Sequence, residues 1–233
     1  MVTVHERMIV SFMNFAILLF MPLALIRKSK NPLFSTGVGQ YFLFRREAYF
    51  GTGGHHSIKG KILEDVHISK KIKESGYKYM IFDGSKIVSC RMYKNFSEVW
   101  KGYSRFLFSA FDYKIFMMAI VFTLVIIFLL MPFVFLPLGL FIYNYSREII
   151  ILLMAQVIII SFIKILIALR LKEKILDFTL LPLSIVYLAA IAVNSYLQSK
   201  MGDGINWKGR IYQASSKNDD LEMSEEDEIK SYK

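Results

Sequence analysis

The feature that most limits what this chain can fold into is a set of long, almost uncharged stretches in its second half: Ile115 to Ser146, Ile149 to Leu169, and Ile175 to Gln198. Each is near or above the about 20 apolar residues that carry a helix across a bilayer. Inside lipid, every backbone N–H and C=O must be paired within the segment, which favours helices over open strands. Residues 114-198 therefore read as about three transmembrane helices. Pro132 and Pro137 make the first either one tilted span or a pair of short helices. Lys164 lies near the end of the second, where a long stem can snorkel to the surface, and Asp177 marks the margin of the third. The connection Arg170-Leu171-Lys172-Glu173-Lys174 is the most basic of the short ones, which assigns it to the cytoplasmic side.

Composition agrees with a membrane class. Hydrophobic residues make up 55% of the chain, too many for one ordinary soluble domain. The net charge of +10 could suit nucleic acid, but the lysines and arginines are scattered between apolar segments and form no nucleic-acid motif. Anionic lipid is the simpler partner for that charge, and nucleic acid is not expected. Cys90 is the single cysteine, so no internal disulfide can form, which suits a reducing cytoplasmic face.

At the start, Met8 to Ile26 is a further uncharged run between Arg7 and the basic cluster Arg27-Lys28-Ser29-Lys30. Its length just reaches a span, while Ser11, Asn14 and Pro22 equally suit a helix lying at the interface. Residues 1-30 thus form a membrane-associated helix, and no cleavage site of a signal peptide precedes Arg27.

From 31 to 113 the pattern changes to that of an α/β segment. Strands are expected over Gln40 to Phe44, over Tyr77 to Ile81 with its alternating pattern, and over Lys86 to Arg91 after an Asp83-Gly84 turn. Between them a Gly-rich loop leads into the acidic pair Glu64-Asp65 and a helical pattern with Ile68 and Ile72 four residues apart, ended by Gly76. An aspartate there can cap the helix, or the positive helix end can hold its charge beside a reacting group. Phe96, Val99, Trp100, Tyr103, Leu107 and Phe111 share one face of a later amphipathic helix, so Trp100 either packs or touches a substrate. His55-His56 are adjacent and lack a third ligand at metal-site spacing, so no metal site is assigned. The end, 199-233, holds Trp207-Lys208-Gly209-Arg210 and then an acidic tail after Ser215 with little apolar content, expected to be disordered.

The succession of Gly39-Gln40, Arg45-Arg46-Glu47, Glu64-Asp65, Arg91-Met92-Tyr93 and Trp100-Lys101-Gly102-Tyr103-Ser104-Arg105 resembles the C-terminal half of a membrane-bound family 2 glycosyltransferase. The branch it resembles is the inverting GT-A type that includes carotenoid- and hopanoid-associated enzymes. The likeness covers about residues 35 to 112 and extends loosely to Trp207-Lys208-Gly209-Arg210. It implies a partial GT-A α/β domain followed by a transmembrane α-helical region. It also implies that Gly39 and Gln40 line the cleft and that Asp65, beside Glu64, is the base that deprotonates the acceptor hydroxyl. The Gln-x-x-Arg-Trp motif of processive relatives is absent, and Trp100 to Arg105 occupies the equivalent region. Arg91, Lys101 and Arg105 are the cations suited to phosphate oxygens.

The resemblance further implies a nucleotide sugar donor, a lipid-type acceptor, and a divalent metal, Mg or Mn, for the complete enzyme. No Asp-x-Asp stands between Met1 and Phe111, so the metal and the donor are expected on a missing donor-binding half and not on this chain, which reads as a split or truncated product or as one piece of a two-chain enzyme. The expected location is the cell membrane, multi-pass, with the catalytic segment cytoplasmic. The alternative is a non-catalytic membrane protein, a truncated remnant or scaffold without the donor half.

Overall fold

Helices dominate the backbone because so much of the sequence is apolar without alternation. A computed structural model describes residues 1–21, 23–59, 61–84, 86–201, 205–207 and 210–212. In chain order the helices are α1 (Val4–Phe20), α2 (Leu23–Lys28), α3 (Arg46–Gly51), α4 (Glu64–Glu74), α5 (Phe96–Phe106), α6 (Ile115–Val125), α7 (Met131–Phe141), α8 (Arg147–Arg170) and α9 (Leu181–Met201).

The described residues hold three helices long and apolar enough to cross a membrane: Ile115–Phe141, Arg147–Arg170 and Ile175–Lys200. The first is α6 and α7 joined without a break by a π-turn at Ile126–Leu130, so one continuous helix forms where a pair of short ones was the alternative. Met131 N–H bonds the Ile126 carbonyl five residues back, shifting the register just ahead of Pro132. Pro132 has no N–H for the Phe128 carbonyl four residues back, and the Gln156 side-chain amide of α8 donates to that oxygen at 3.2 Å. Most side chains of the first two helices face outward, as expected of surfaces that meet lipid.

The described part of the N-terminal run forms two helices, α1 and α2. Thr3 and Glu6 make a reciprocal capping box at the start of α1, and α1 stops at Met21, the residue before Pro22. Pro22 itself lies outside the described residues. α1 packs on α5, α8 and α9, and its Ile9, Phe12 and Phe15 join Val99, Tyr103 and Leu107 of α5 with Ile185, Leu188 and Ile191 of α9 in the main core. Polar bonds fix the α5–α9 contact: Asn194 Nδ2 donates to Ser104 Oγ at 2.8 Å, and the Phe108 N–H donates to Ser195 Oγ at 2.9 Å.

Lys164 does not snorkel. It is buried, and Nζ donates to the Ser11 carbonyl at 2.8 Å, contacts Ser11 Oγ, and pairs with Glu173 at 3.4 Å. Asn14 Nδ2 donates to the same Glu173 carboxylate at 2.8 Å, and Arg7 Nε donates to Asp177 at 2.8 Å. The charges at the membrane margin are thus engaged with α1.

The α/β expectation is wrong. Residues 40–44, 77–81 and 86–91 contain no strand, and no backbone ladder joins them among the described residues. Part of the alternation survives: Phe42 and Phe44 turn inward and stack 5.4 Å apart, while Tyr41 and Leu43 are exposed. The inward residues meet α4 and not a second strand, so the backbone is extended without a sheet. The turn sits one step later than Asp83-Gly84, closed by the Ile87 and Val88 N–H groups on the Gly84 carbonyl. Among the described residues, paired strands occur solely as β1 (Ile205–Trp207) and β2 (Arg210–Tyr212), antiparallel with Trp207 opposite Arg210. Lys208, Gly209 and the acidic tail lie outside the described residues.

Candidate functional site

The segment between 31 and 94 wraps around α4. Leu63 precedes the helix without a side-chain cap, so Asp65 is the second helical residue and not the cap itself. At the other end Gly76 adopts φ 80 and the Tyr77 N–H reaches the Ile72 carbonyl at 3.1 Å, the glycine stop that the sequence announces. Ile68 and Ile72 face a small core with Ile58, Phe42, Phe44, Tyr49 and Tyr79.

The backbone of the 34–39 loop is held against this helix by side chains of α4 and by Tyr79. Lys73 Nζ donates to the Phe34 carbonyl, Tyr79 Oη to the Thr36 carbonyl at 2.6 Å, and the Gly39 N–H to Asp65 Oδ2 at 3.0 Å. A Cβ on Gly37 would overlap the Asp65 carbonyl, so no other residue fits that close approach without a shift. Asp65 Oδ1 accepts the Val66 N–H at 2.9 Å, and Ser69 Oγ donates to the Asp65 carbonyl at 2.7 Å.

Burial raises the Asp65 pKa above the usual carboxylate value; the Val66 and Gly39 N–H groups oppose that shift, and the Glu64 charge adds to it. Two residues on, burial lowers the His67 pKa, with Lys61 adding and Asp112 opposing. A half-buried carboxylate of raised basicity, held by two N–H donors at a helix start, can accept a proton from a hydroxyl placed on its open side.

The structure brings some expected residues together and separates others. Gly39 and Asp65 touch, and Gln40 beside them donates its amide to Met92 Sδ. Glu64 is exposed. Arg91 is engaged elsewhere: Nε and Nη2 donate to Glu6 of α1 at 2.9 and 3.3 Å, which holds the Glu6 carboxyl well below its ordinary range. Trp100 stacks on Phe96 and on Tyr187 of α9, ring centres 5.7 and 6.0 Å apart, which is the packing role. Lys101 is exposed on α5, and Arg105 Nε donates to the Lys101 carbonyl at 3.2 Å. Lys73 was not singled out from sequence, and Tyr79 and Met92, read as part of an alternating run and of the Arg91-Met92-Tyr93 motif, were given no contact with the 34–39 loop or with Gln40.

No three His, Cys, Asp or Glu side chains converge as metal ligands among the described residues. His55 Nδ1 meets the Tyr49 hydroxyl at 2.8 Å.

The family model described as Glycosyl transferase family 21 matches residues 19–220. The chain belongs to glycosyltransferase family 21. That corrects the resemblance at one level and supports it at another, since a glycosyltransferase is found but the family 2 carotenoid and hopanoid branch is not the one that matches. Neither the curated proteins nor the solved structures give a match. In this family-21 chain the match runs from the end of α1 through α9, so it takes in both the Asp65 segment and the three long apolar helices.

Proposed function

We propose that this family-21 chain supplies the catalytic base and the acceptor site for transfer of a sugar from a nucleotide sugar to a lipid-type acceptor. The observation that supports this reading most is Asp65: a half-buried carboxylate of raised pKa, gripped by the Gly37–Gly39 loop, in a chain whose longest helices suit a bilayer. In this mechanism Asp65 takes the proton of the acceptor hydroxyl as its oxygen attacks the anomeric carbon. The bond from that carbon to the diphosphate oxygen breaks, and its electron pair leaves with the nucleoside diphosphate. Lys101 and Arg105 are assigned to the departing phosphates. The loop from Gly39 to Gln40 walls the cleft and keeps the base oriented.

The divalent metal and the donor-binding unit are placed outside the described residues in this proposal, among which no three His, Cys, Asp or Glu side chains come together, and no step here runs through a metal. The chain is read as multi-pass in the cell membrane, with 31-113 on the cytoplasmic face, 114-198 spanning, and 1-30 and 199-233 flanking. The Arg170–Asp83 ion pair at 3.0 Å supports placing the basic α8–α9 connection on the same side as the Asp65 segment.

The test is Asp65→Asn in an enzyme whose donor-binding half is supplied, by fusion or by co-expression. Asparagine keeps the size and can still accept an N–H, so the expected result is a folded enzyme about 10²–10⁴-fold slower. Glu64→Gln, on an exposed neighbour, should stay near the wild-type rate. The wild-type rate should fall on the acid side at a higher pH than an ordinary aspartate would set, because protonation of Asp65 removes the base and its pKa is raised. A folded Asp65→Asn enzyme of near wild-type rate would reduce the carboxylate to a helix-start ligand and favour the non-catalytic reading.

A further inference from the structure

The α8–α9 connection sorts its charges by direction. Its acids turn inward, Glu173 to Asn14 and Lys164, and Asp177 to Arg7. Its bases Arg170, Lys172 and Lys174 stay exposed. Arg170 and Lys172 meet Asp83 and Lys86 of the facing loop around an open cleft of about 240 Å³. Three cations and one acid line it, and that acid is already paired with Arg170 Nε at 3.0 Å. The cleft therefore holds an excess of positive charge at the end of a helix long enough to cross a bilayer, where lipid phosphates lie.

A second observation concerns the backbone. α8 ends in the double-bonded glycine-type stop: the Glu173 N–H reaches the Ala168 carbonyl at 2.8 Å and the Lys172 N–H the Leu169 carbonyl at 3.4 Å. The residue at the left-handed position of that stop is Lys172, with φ 56. Glycine fits there without strain, whereas a lysine carries a Cβ penalty and adds a cation to the cleft. Strain kept at a charged cleft points to a role for the side chain. The same stop occupies the Ala168 and Leu169 carbonyls, so those two do not stand as open acceptors against an anion.

We infer that Lys86, Arg170 and Lys172 form a binding site for a phosphate group at the membrane surface. Arg170 offers planar paired donors, and the two lysines act as point charges on either side. The site is separate from Asp65 and stands whether or not Asp65 is the base. The phosphate comes either from an anionic lipid headgroup or from a free nucleoside diphosphate.

The test uses the full chain in neutral detergent, titrated with phosphatidylglycerol, with phosphatidylcholine, a zwitterion whose choline cation offsets its phosphate, as the net-neutral reference and UDP as a separate arm. Bound lipid is counted by native mass spectrometry, and UDP binding by calorimetry. The expected result is tighter retention of phosphatidylglycerol than of phosphatidylcholine, weakened about 30-fold in the Lys86→Gln/Lys172→Gly double variant. Lys172→Gly alone places the favoured residue at the stop, so the variant should fold at least as well as the wild type. UDP binding that is lost in the same variant identifies a free phosphate as the ligand; lipid retention without UDP binding identifies a headgroup. Equal retention of the two lipids with no UDP binding, or a double variant that binds like the wild type, overturns the assignment.

Discussion

The helical bundle and the segment around Asp65 are held together by different means. The bundle's core is continuous from α1 through α5 to α9 and includes side chains fully removed from solvent, such as Phe15, Ile185 and Ile191. The segment around α4 buries Ile58, Ile68 and Ile72 and relies on hydrogen bonds from Lys73, Tyr79 and Asp65 to fix its loop. Its links to the bundle include two ion pairs, Arg91 with Glu6 and Asp83 with Arg170, and the Tyr93 ring against Tyr103 of α5. A small core clamped by polar contacts can open without melting the bundle, so the region proposed to handle substrate is also the region of lower local stability.

The sharpest way to break the comparison is to strike the bundle at its charges. Glu173→Gln leaves the Lys164 ammonium buried without its counter-charge and should destabilise the detergent-solubilised protein by about 3–5 kcal/mol, read as a drop in Tm. The α4 segment should unfold together with the bundle in that variant.

The converse is Ile68→Ala. It empties part of the small core and should cost about 2–5 kcal/mol, but locally. Amide exchange in α4 should accelerate while α8 and α9 keep their protection; equal acceleration in both would mean a single cooperative unit.

Two carboxylates then sharpen the contrast through pH, with smaller effects of opposite sign. Glu6 has a lowered folded pKa through Arg91, so its contribution is present above the unfolded carboxylate pKa and is lost as pH falls toward the folded one. Asp65 has a raised folded pKa, so its contribution is fully present below the unfolded value and is lost as pH rises through the folded one. Asp65→Asn should therefore raise Tm at neutral pH, with the gain vanishing in acid. Glu6→Gln should lower Tm at neutral pH, with the loss shrinking in acid.

These contrasts also explain what could be read from the residues alone. The three long apolar helices and the Gly76 stop of α4 follow from local composition and one glycine, and they were legible. Asp65 and Gly39 lie 26 positions apart, and only the family likeness joined them before their hydrogen bond was seen. The extended run at Phe42 and Phe44 misled because alternation reports which side chains turn inward, not whether a neighbouring strand exists. The Lys164–Ser11 contact was out of reach: its partners are 153 positions apart, and a lysine near a helix end reads as snorkelling whenever its partner is not visible.

The amide of Gln156 on the Phe128 carbonyl ties the first two apolar helices to one another. With Pro132 in place, the first apolar helix enters lipid with a backbone oxygen that lacks its helical donor, a costly state in a medium without water. The second helix brings the missing donor. In lipid the first helix is therefore more stable packed on the second than by itself.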